Sequence, residues 1–149
     1  MDTVRALKQV IMFKDVPERV LEIVAGTAEE VSVPAGETII SVRDTPNALF
    51  VIRNGTVRVF WEGGAPVFFG TGETLGDGTF IDGGQAGGTA VAVERVDLLV
   101  LRSAKVADAL AGHPEAGYEL YRAIAKSLAG RLRRAAGMIS FAREREAQS

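Results

Sequence analysis

The 149-residue chain contains no cysteine and a single histidine, His113. The missing thiols exclude disulfides, iron–sulfur clusters, thiolate catalysis and Cys/His zinc sites. Hydrolytic triads need a base that titrates near neutrality. The one imidazole stands before Pro114 at an expected helix junction, where a surface or capping role suits it. Carboxylates without a base, metal ligand or nucleophile make a poor active site. The expectation is therefore a non-enzymatic protein with no catalytic residues, no metal and no cofactor. No run approaches 18 apolar residues, and Met1-Asp2-Thr3-Val4-Arg5 does not open a secretory leader, so a cytoplasmic setting without membrane contact is expected. A net charge of −2 gives no global attraction to nucleic acid or anionic lipid. Cations are also missing locally, because no Lys or Arg occurs between Arg58 and Arg95.

What is present is an ordinary globular composition, 47% apolar and 24% charged, in a chain of single-domain length. Val4, Leu7, Val10 and Ile11 have helical spacing and predict a helix from Thr3 to about Phe13. A second helix is expected after Asp15-Val16-Pro17-Glu18, with Asp15 as N-cap, a buried stripe of Val20, Leu21 and Val24, and an end at Gly26. From Glu30 to Arg102 the period becomes that of strands. Val31–Val33 and Thr38–Ser41 flank the turn Pro34-Ala35-Gly36-Glu37; Ala48–Arg53 and Thr56–Trp61 flank Asn54-Gly55. Asn-Gly is a strong hairpin signal, since a type I′ turn needs φ > 0 at both central residues. Pro66–Phe69, Thr89–Val93 and Asp97–Leu101 follow, and about eight short strands at this spacing predict a β-sandwich or jelly roll. Trp61 and the phenylalanines are read as core or strand-face residues.

One stretch interrupts the strands. Residues 70–91 combine glycines, carboxylates and hydroxyls, and several glycines between strands let the backbone approach another group closely. Such a loop presents N–H groups to an anion or is simply exposed; composition leaves both readings open.

The last third is helical. Ser103 is the expected N-cap of a short helix through Ala111, Gly112-His113-Pro114 breaks it, and a long helix runs from about Glu115 toward Glu146. Tyr118, Tyr121, Ala125, Leu128, Leu132, Ala135, Ile139 and Ala142 alternate spacings of three and four, an a/d seam over more than three heptads. A helix of about 30 residues spans about 45 Å, longer than such a domain covers. Partner-helix packing through Tyr121, Ala125, Leu128, Leu132, Ala135 and Ile139, as a homodimeric coiled coil, is expected ahead of packing on the chain's own sandwich. Arg131, Arg133 and Arg134 flank the seam and read as a solvated face rather than a nucleic-acid patch.

The order of these parts, together with three motifs, resembles the cyclic nucleotide-binding domain family, of the catabolite activator and kinase regulatory-subunit type. Pro34-Ala35-Gly36-Glu37-Thr38-Ile39-Ile40 is similar to its PAGE turn. Leu49-Phe50-Val51-Ile52-Arg53-Asn54-Gly55-Thr56-Val57-Arg58-Val59 is similar to its central hairpin, and Gly72-Glu73-Thr74-Leu75-Gly76-Asp77 to the start of its phosphate-binding cassette. The resemblance implies a mainly β fold with flanking helices: N-terminal short helices (1–29), an eight-stranded double-stranded β-helix, or jelly roll (30–102), and C-terminal helices with a dimerisation helix (103–149).

In that family a one-turn helix and an arginine hold a cyclic phosphate while a glutamate bonds the ribose 2′-hydroxyl. A helix N-terminus and a bidentate guanidinium suit that task. The resemblance places the candidate cassette at Gly76, Asp77, Gly78, Thr79, Ala86, Gly87, Gly88 and Thr89, with Asp77 at the glutamate position and Thr89 as the hydroxyl after the arginine. The arginine position falls at Ala86 or Gly87, so this chain lacks it. Removing one partner of a buried charge pair costs about 2–5 kcal/mol. A micromolar site then weakens to between roughly tens of micromolar and millimolar. Arg43, Arg58 and Arg95 remain open as replacements. The resemblance implies a non-enzymatic sensor or regulatory module for cyclic AMP or cyclic GMP that signals through its C-terminal helix. The alternative is a degenerate domain that serves as a dimeric interaction scaffold. About 60–80 further residues would be needed for a helix-turn-helix domain, so no DNA binding by this chain is expected.

Overall fold

The computed structural model describes residues 2–148. Helix α1 (Thr3–Lys8) starts at Asp2, whose carboxylate accepts a hydrogen bond from the Arg5 N–H at 3.1 Å. It does not continue to Phe13. The Ile11 N–H donates instead to the Gly72 carbonyl, 3.1 Å away in the roll, and Ile11–Phe13 forms a separate 3-10 turn. Helix α2 (Glu18–Ala25) buries Val20, Leu21 and Val24 as expected. Its N-cap position is Pro17 rather than Asp15, and the Pro17 carbonyl accepts from Val20 and Leu21.

The roll consists of β1 (Glu29–Val33), β2 (Thr38–Ile40), β3 (Ala48–Asn54), β4 (Val57–Phe60), β5 (Val67–Phe69) and β6 (Thr74–Leu75). After helix α3 (Asp77–Asp82) come β7 (Thr89–Ala92) and β8 (Val96–Arg102). The eight strands form two antiparallel sheets, β1-β8-β3-β6 and β2-β7-β4-β5. This is the jelly roll expected, with β6 and α3 arising inside the glycine-rich stretch.

Asn54-Gly55 is not a hairpin turn. β3 and β4 lie in different sheets, and of the two residues only Gly55 has positive φ, at 113°. The pair is a corner at which the chain changes sheets. A Cβ at Gly55 would stand 2.7 Å from the Arg95 carbonyl oxygen, so a close backbone approach is what demands glycine here. The hairpin lies one step later, where Val57 of β4 faces Phe69 of β5. Pro34–Glu37 likewise carries the chain from one sheet to the other.

The central strands of the sheet β1-β8-β3-β6, β8 and β3, are buried on both faces. Ala48, Ile52, Leu98 and Val100 point into the roll, while Leu49, Val51, Leu99 and Leu101 point outward under a helical layer. That layer draws on α1, α2, α4 (Ser103–Leu110) and α5 (Pro114–Gln148), through residues such as Leu7, Leu21, Val106 and Leu120. Each fully buried Leu contributes about 1.5–3 kcal/mol of transfer free energy. Ser103 is the first residue of α4 rather than its cap, and its hydroxyl donates to the Phe80 carbonyl at 3.2 Å.

Helix α5 packs through Ala116, Leu120 and Ile124, with Tyr121, Ala123 and Leu128 partly buried beside them. The expected seam therefore divides. Tyr121 and Leu128 serve the chain's own core, whereas Ala125, Leu132, Ala135 and Ile139 are exposed, as is Tyr118. Among the described residues no helix is long and apolar enough to cross a membrane.

The corner glycine gives a direct test. Gly55→Ala meets both positive φ and a backbone clash, and is expected to cost about 2–3 kcal/mol. Gly63→Ala, with φ 77° but nothing within 4 Å of its Cβ, is expected to cost about 1 kcal/mol. Urea unfolding midpoints of the two variants measure the difference; equal losses would show that the corner is not held by this approach.

Candidate functional site

The site begins where β6 ends. Gly76 takes φ 77°, and a Cβ there would lie 2.8 Å from the Ala48 carbonyl oxygen, so this sharp turn into α3 requires glycine. The Gly76 carbonyl accepts from the Phe80 N–H at 2.9 Å and from the Thr79 hydroxyl at 3.0 Å, which fixes the short helix. After Gly83, at φ 69°, the chain returns through Gln85–Gly88. There the Ala86 N–H donates to the Asp44 carbonyl at 2.7 Å and the Ala86 carbonyl accepts from Arg43 at 2.8 Å. A Cβ at Gly88 would meet the Phe60 carbonyl oxygen and Trp61 Nε1 at 2.9 Å, so the returning backbone lies directly against β4 and Trp61.

These segments line a cavity of about 310 Å³ that is open to solvent. Its wall is Gly76–Thr79, Asp82 and Gln85–Gly88; Ile40, Val59, Leu75 and Ala90 of the roll and Trp61 line it further, and Arg131 reaches it from α5. Of the candidate cassette, Gly76, Asp77, Gly78, Thr79, Ala86, Gly87 and Gly88 come together on this wall. Thr89 does not; its hydroxyl accepts from the Val42 N–H at 3.1 Å and ties β7 to the neighbouring turn. Trp61, read from sequence as a core or strand-face residue, is 41% exposed and lines the cavity instead.

Asp77 is the buried charge of the site, 2% exposed. The Thr74 hydroxyl lies 2.9 Å from both of its carboxylate oxygens, and Arg131 Nη1 is 3.3 Å from Oδ2. Burial pushes the Asp77 pKa above the ordinary carboxylate value, and the Arg131 charge and the Thr74 hydrogen bond pull it back only in part. The Arg131 guanidinium also stands 5.7 Å from the centre of the Phe69 ring.

Arg131 is the residue that sequence reasoning placed wrongly. It was expected on a solvated face with Arg133 and Arg134, yet it is the sole basic side chain on the cavity wall among the described residues. Arg43, Arg58 and Arg95 do not line the cavity; Arg58 lies over Phe60, and Arg95 faces Asp97 at 3.5 Å. One signal was available. Leu120 and Ile124 define the inward face of α5, and seven residues past Ile124 the same face reaches Arg131. Helix α3, which supplies part of the wall, is joined to α5 a second time by Phe80, whose ring stacks on Tyr121 at 6.0 Å. Among the described residues no cluster of three or more His, Cys, Asp or Glu side chains is placed to hold a metal ion.

A cyclic nucleotide-binding domain model matches residues 30–113, more than half of the chain, and the chain belongs to that family. The catabolite activator protein of Thermus thermophilus is 27% identical with a TM-score of 0.72, over 87% of this chain and 62% of that protein. The present chain thus spans less than two thirds of its length. A cyclic nucleotide-binding domain from Methylobacillus flagellatus shares the fold with a TM-score of 0.78 at 20% identity, covering 92% of this chain and 80% of that one. The regulatory domain of Toxoplasma gondii PKA, crystallised with cAMP, shares it with a TM-score of 0.61 at 20% identity, over 69% and 41% of the two chains. No curated protein sequence matches.

The raised Asp77 pKa sets a sign. Between the ordinary carboxylate pKa and the raised folded value, the folded chain binds more protons than the unfolded one, so stability falls as pH rises through that window. Asp77→Asn keeps the shape without the charge, and its stability is expected to lose this decline. Denaturant midpoints across the acidic range, for wild type and variant, check it; parallel profiles would show that the buried charge carries no such penalty.

Proposed function

We propose that this chain is a non-enzymatic regulatory module that senses a cyclic nucleotide-class ligand in the roll cavity and relays its presence through α5. The observation that carries the reading is the cavity itself. A glycine-shaped turn, α3 and a buried carboxylate form one wall; Arg131 of α5 reaches that wall directly, and Tyr121 of α5 packs on Phe80 of α3. On this reading Asp77 accepts a ribose hydroxyl and the apolar side chains of Ile40, Val59, Leu75 and Ala90 take the base; that all five line the cavity supports it. Cyclic AMP and cyclic GMP are the candidate ligands. Titration calorimetry tests this. Binding between micromolar and about 100 µM, abolished in Asp77→Ala, is the expected result, and no heat at millimolar nucleotide would end the reading.

A second reading is favoured by a separate observation. Tyr118, Ala125, Leu132 and Ile139, each seven residues from the last, are all exposed, and Leu132 is 70% exposed. A heptad stripe of this kind suits a second copy of the chain, as a homodimer through α5. Without nucleotide binding the same surface makes the chain a dimeric interaction scaffold. Light scattering is expected to give a dimer that Leu132→Glu converts to monomer with its fold intact. Leu128→Glu is a poorer probe, because Leu128 packs on the chain's own core. A monomeric wild type would remove the dimer from both readings.

A further inference from the structure

We infer that Arg131 is the anion-binding group of the roll cavity, carried by α5 and seated on Asp77 until an anionic ligand takes its guanidinium over. The inference deepens the proposed function and rests on the cavity being a ligand site. The ligand it specifies is a small phosphate ester with a free sugar hydroxyl: the phosphate for Arg131, the hydroxyl for Asp77.

Three observations converge on Arg131. The positions implied for a cassette arginine, Ala86 and Gly87, carry no charge, although both lie on the cavity wall. The other ionisable side chains of the wall are carboxylates, Asp77 and Asp82, so without Arg131 the cavity would repel an anion. The guanidinium is already desolvated in part and aimed, 3.3 Å from the Asp77 carboxylate and 5.7 Å from the Phe69 ring centre. A guanidinium presents five N–H donors in a planar fork, which matches two phosphate oxygens at once. Asp77 keeps the Thr74 hydroxyl as a partner when Arg131 turns away, so the exchange does not strand a bare carboxylate. The charge of the ligand then bears on the helix itself rather than on a loop of the roll, which couples occupancy to the position of α5 through a single side chain.

Trp61 is the one tryptophan of the chain and lines the cavity, so its fluorescence reports binding without a label. Cyclic AMP and its uncharged counterpart adenosine are the probes. Wild type is expected to prefer cyclic AMP by about 30-fold or more. Arg131→Gln is expected to abolish or reverse that preference, while Arg131→Lys retains part of it, as a point charge without the fork. Because Arg131 is the charge partner of the buried Asp77, some loss of stability is expected in both variants, and a cooperative thermal transition well above the assay temperature confirms that they are folded when binding is read. Equal binding of the two probes to wild type, or a preference that survives Arg131→Gln, overturns the inference while leaving the cavity a binding site. If neither probe binds wild type, the nucleotide reading fails and inorganic phosphate decides the anion site. A saturable Trp61 response to phosphate that Arg131→Gln loses sustains the inference, and no response overturns it.

Discussion

Leu98, Leu99, Val100 and Leu101 are buried in succession along β8, alternate residues entering the roll and the helical layer. A sheet with apolar side chains on both faces must be covered on both, and the placement of the flanking helices follows from this. The inner face closes by rolling against the second sheet. The outer face recruits α1, α2, α4 and the first turns of α5, and it sets the rotation of α5 by drawing in Leu120 and Ile124. Once that rotation is set, helical geometry leaves little freedom seven residues further on. Arg131 arrives at the cavity because Ile124 is in the core.

Asp77 is where the two layers meet. A carboxylate this deeply buried is unfavourable unless it is hydrogen-bonded and paired. Thr74, from the strand before it, and Arg131, from the helix over it, supply those partners. A buried ion pair is weak evidence of net stabilisation, since desolvation offsets much of the attraction. Its consequence is specificity of position: the pair ties α3 to one azimuth of α5, and the Phe80–Tyr121 stack does the same from the apolar side.

The architecture was legible because hydrophobic period changes twice, from helix to strand near Glu30 and back near Ser103, and the three motifs of the roll stand in order. What misled were local signals overruled by distant contacts. Asn54-Gly55 has the composition of a hairpin turn, but the glycine is there for the Arg95 carbonyl, 40 residues away in sequence. Ser103 looks like a cap and instead bonds Phe80. Seven of the eight cassette candidates do line the cavity; composition leaves the stretch open between an anion loop and an exposed one, and it is the resemblance to the family's cassette that points to these positions. The cation was missed for a different reason. The cassette and the replacements considered for its arginine, Arg43, Arg58 and Arg95, all belong to the roll, whereas Arg131 reaches the site from the C-terminal helix, and Arg131-Leu132-Arg133-Arg134 reads as a solvated run unless its phase is carried forward from the buried face.

Helix α5 thus presents two faces, one packed on its own domain and one exposed. Leu120, Ile124 and Arg131 face the domain, whereas Ala125, Leu132 and Ile139 lie on a stripe turned away from it. A rigid helix cannot rotate one face without rotating the other. If the outward stripe is held by a second helix, the orientation of Arg131 is held as well, and the guanidinium can leave Asp77 only through its own side-chain torsions. Linkage would run in both directions: to whatever extent a ligand that draws Arg131 inward favours or opposes helix pairing, pairing alters its affinity by the same free energy. A cassette arginine on the roll would carry no such obligation. On the proposed reading, a cation carried by the helix rather than by a loop would make ligand affinity a property of the assembly rather than of the cavity alone.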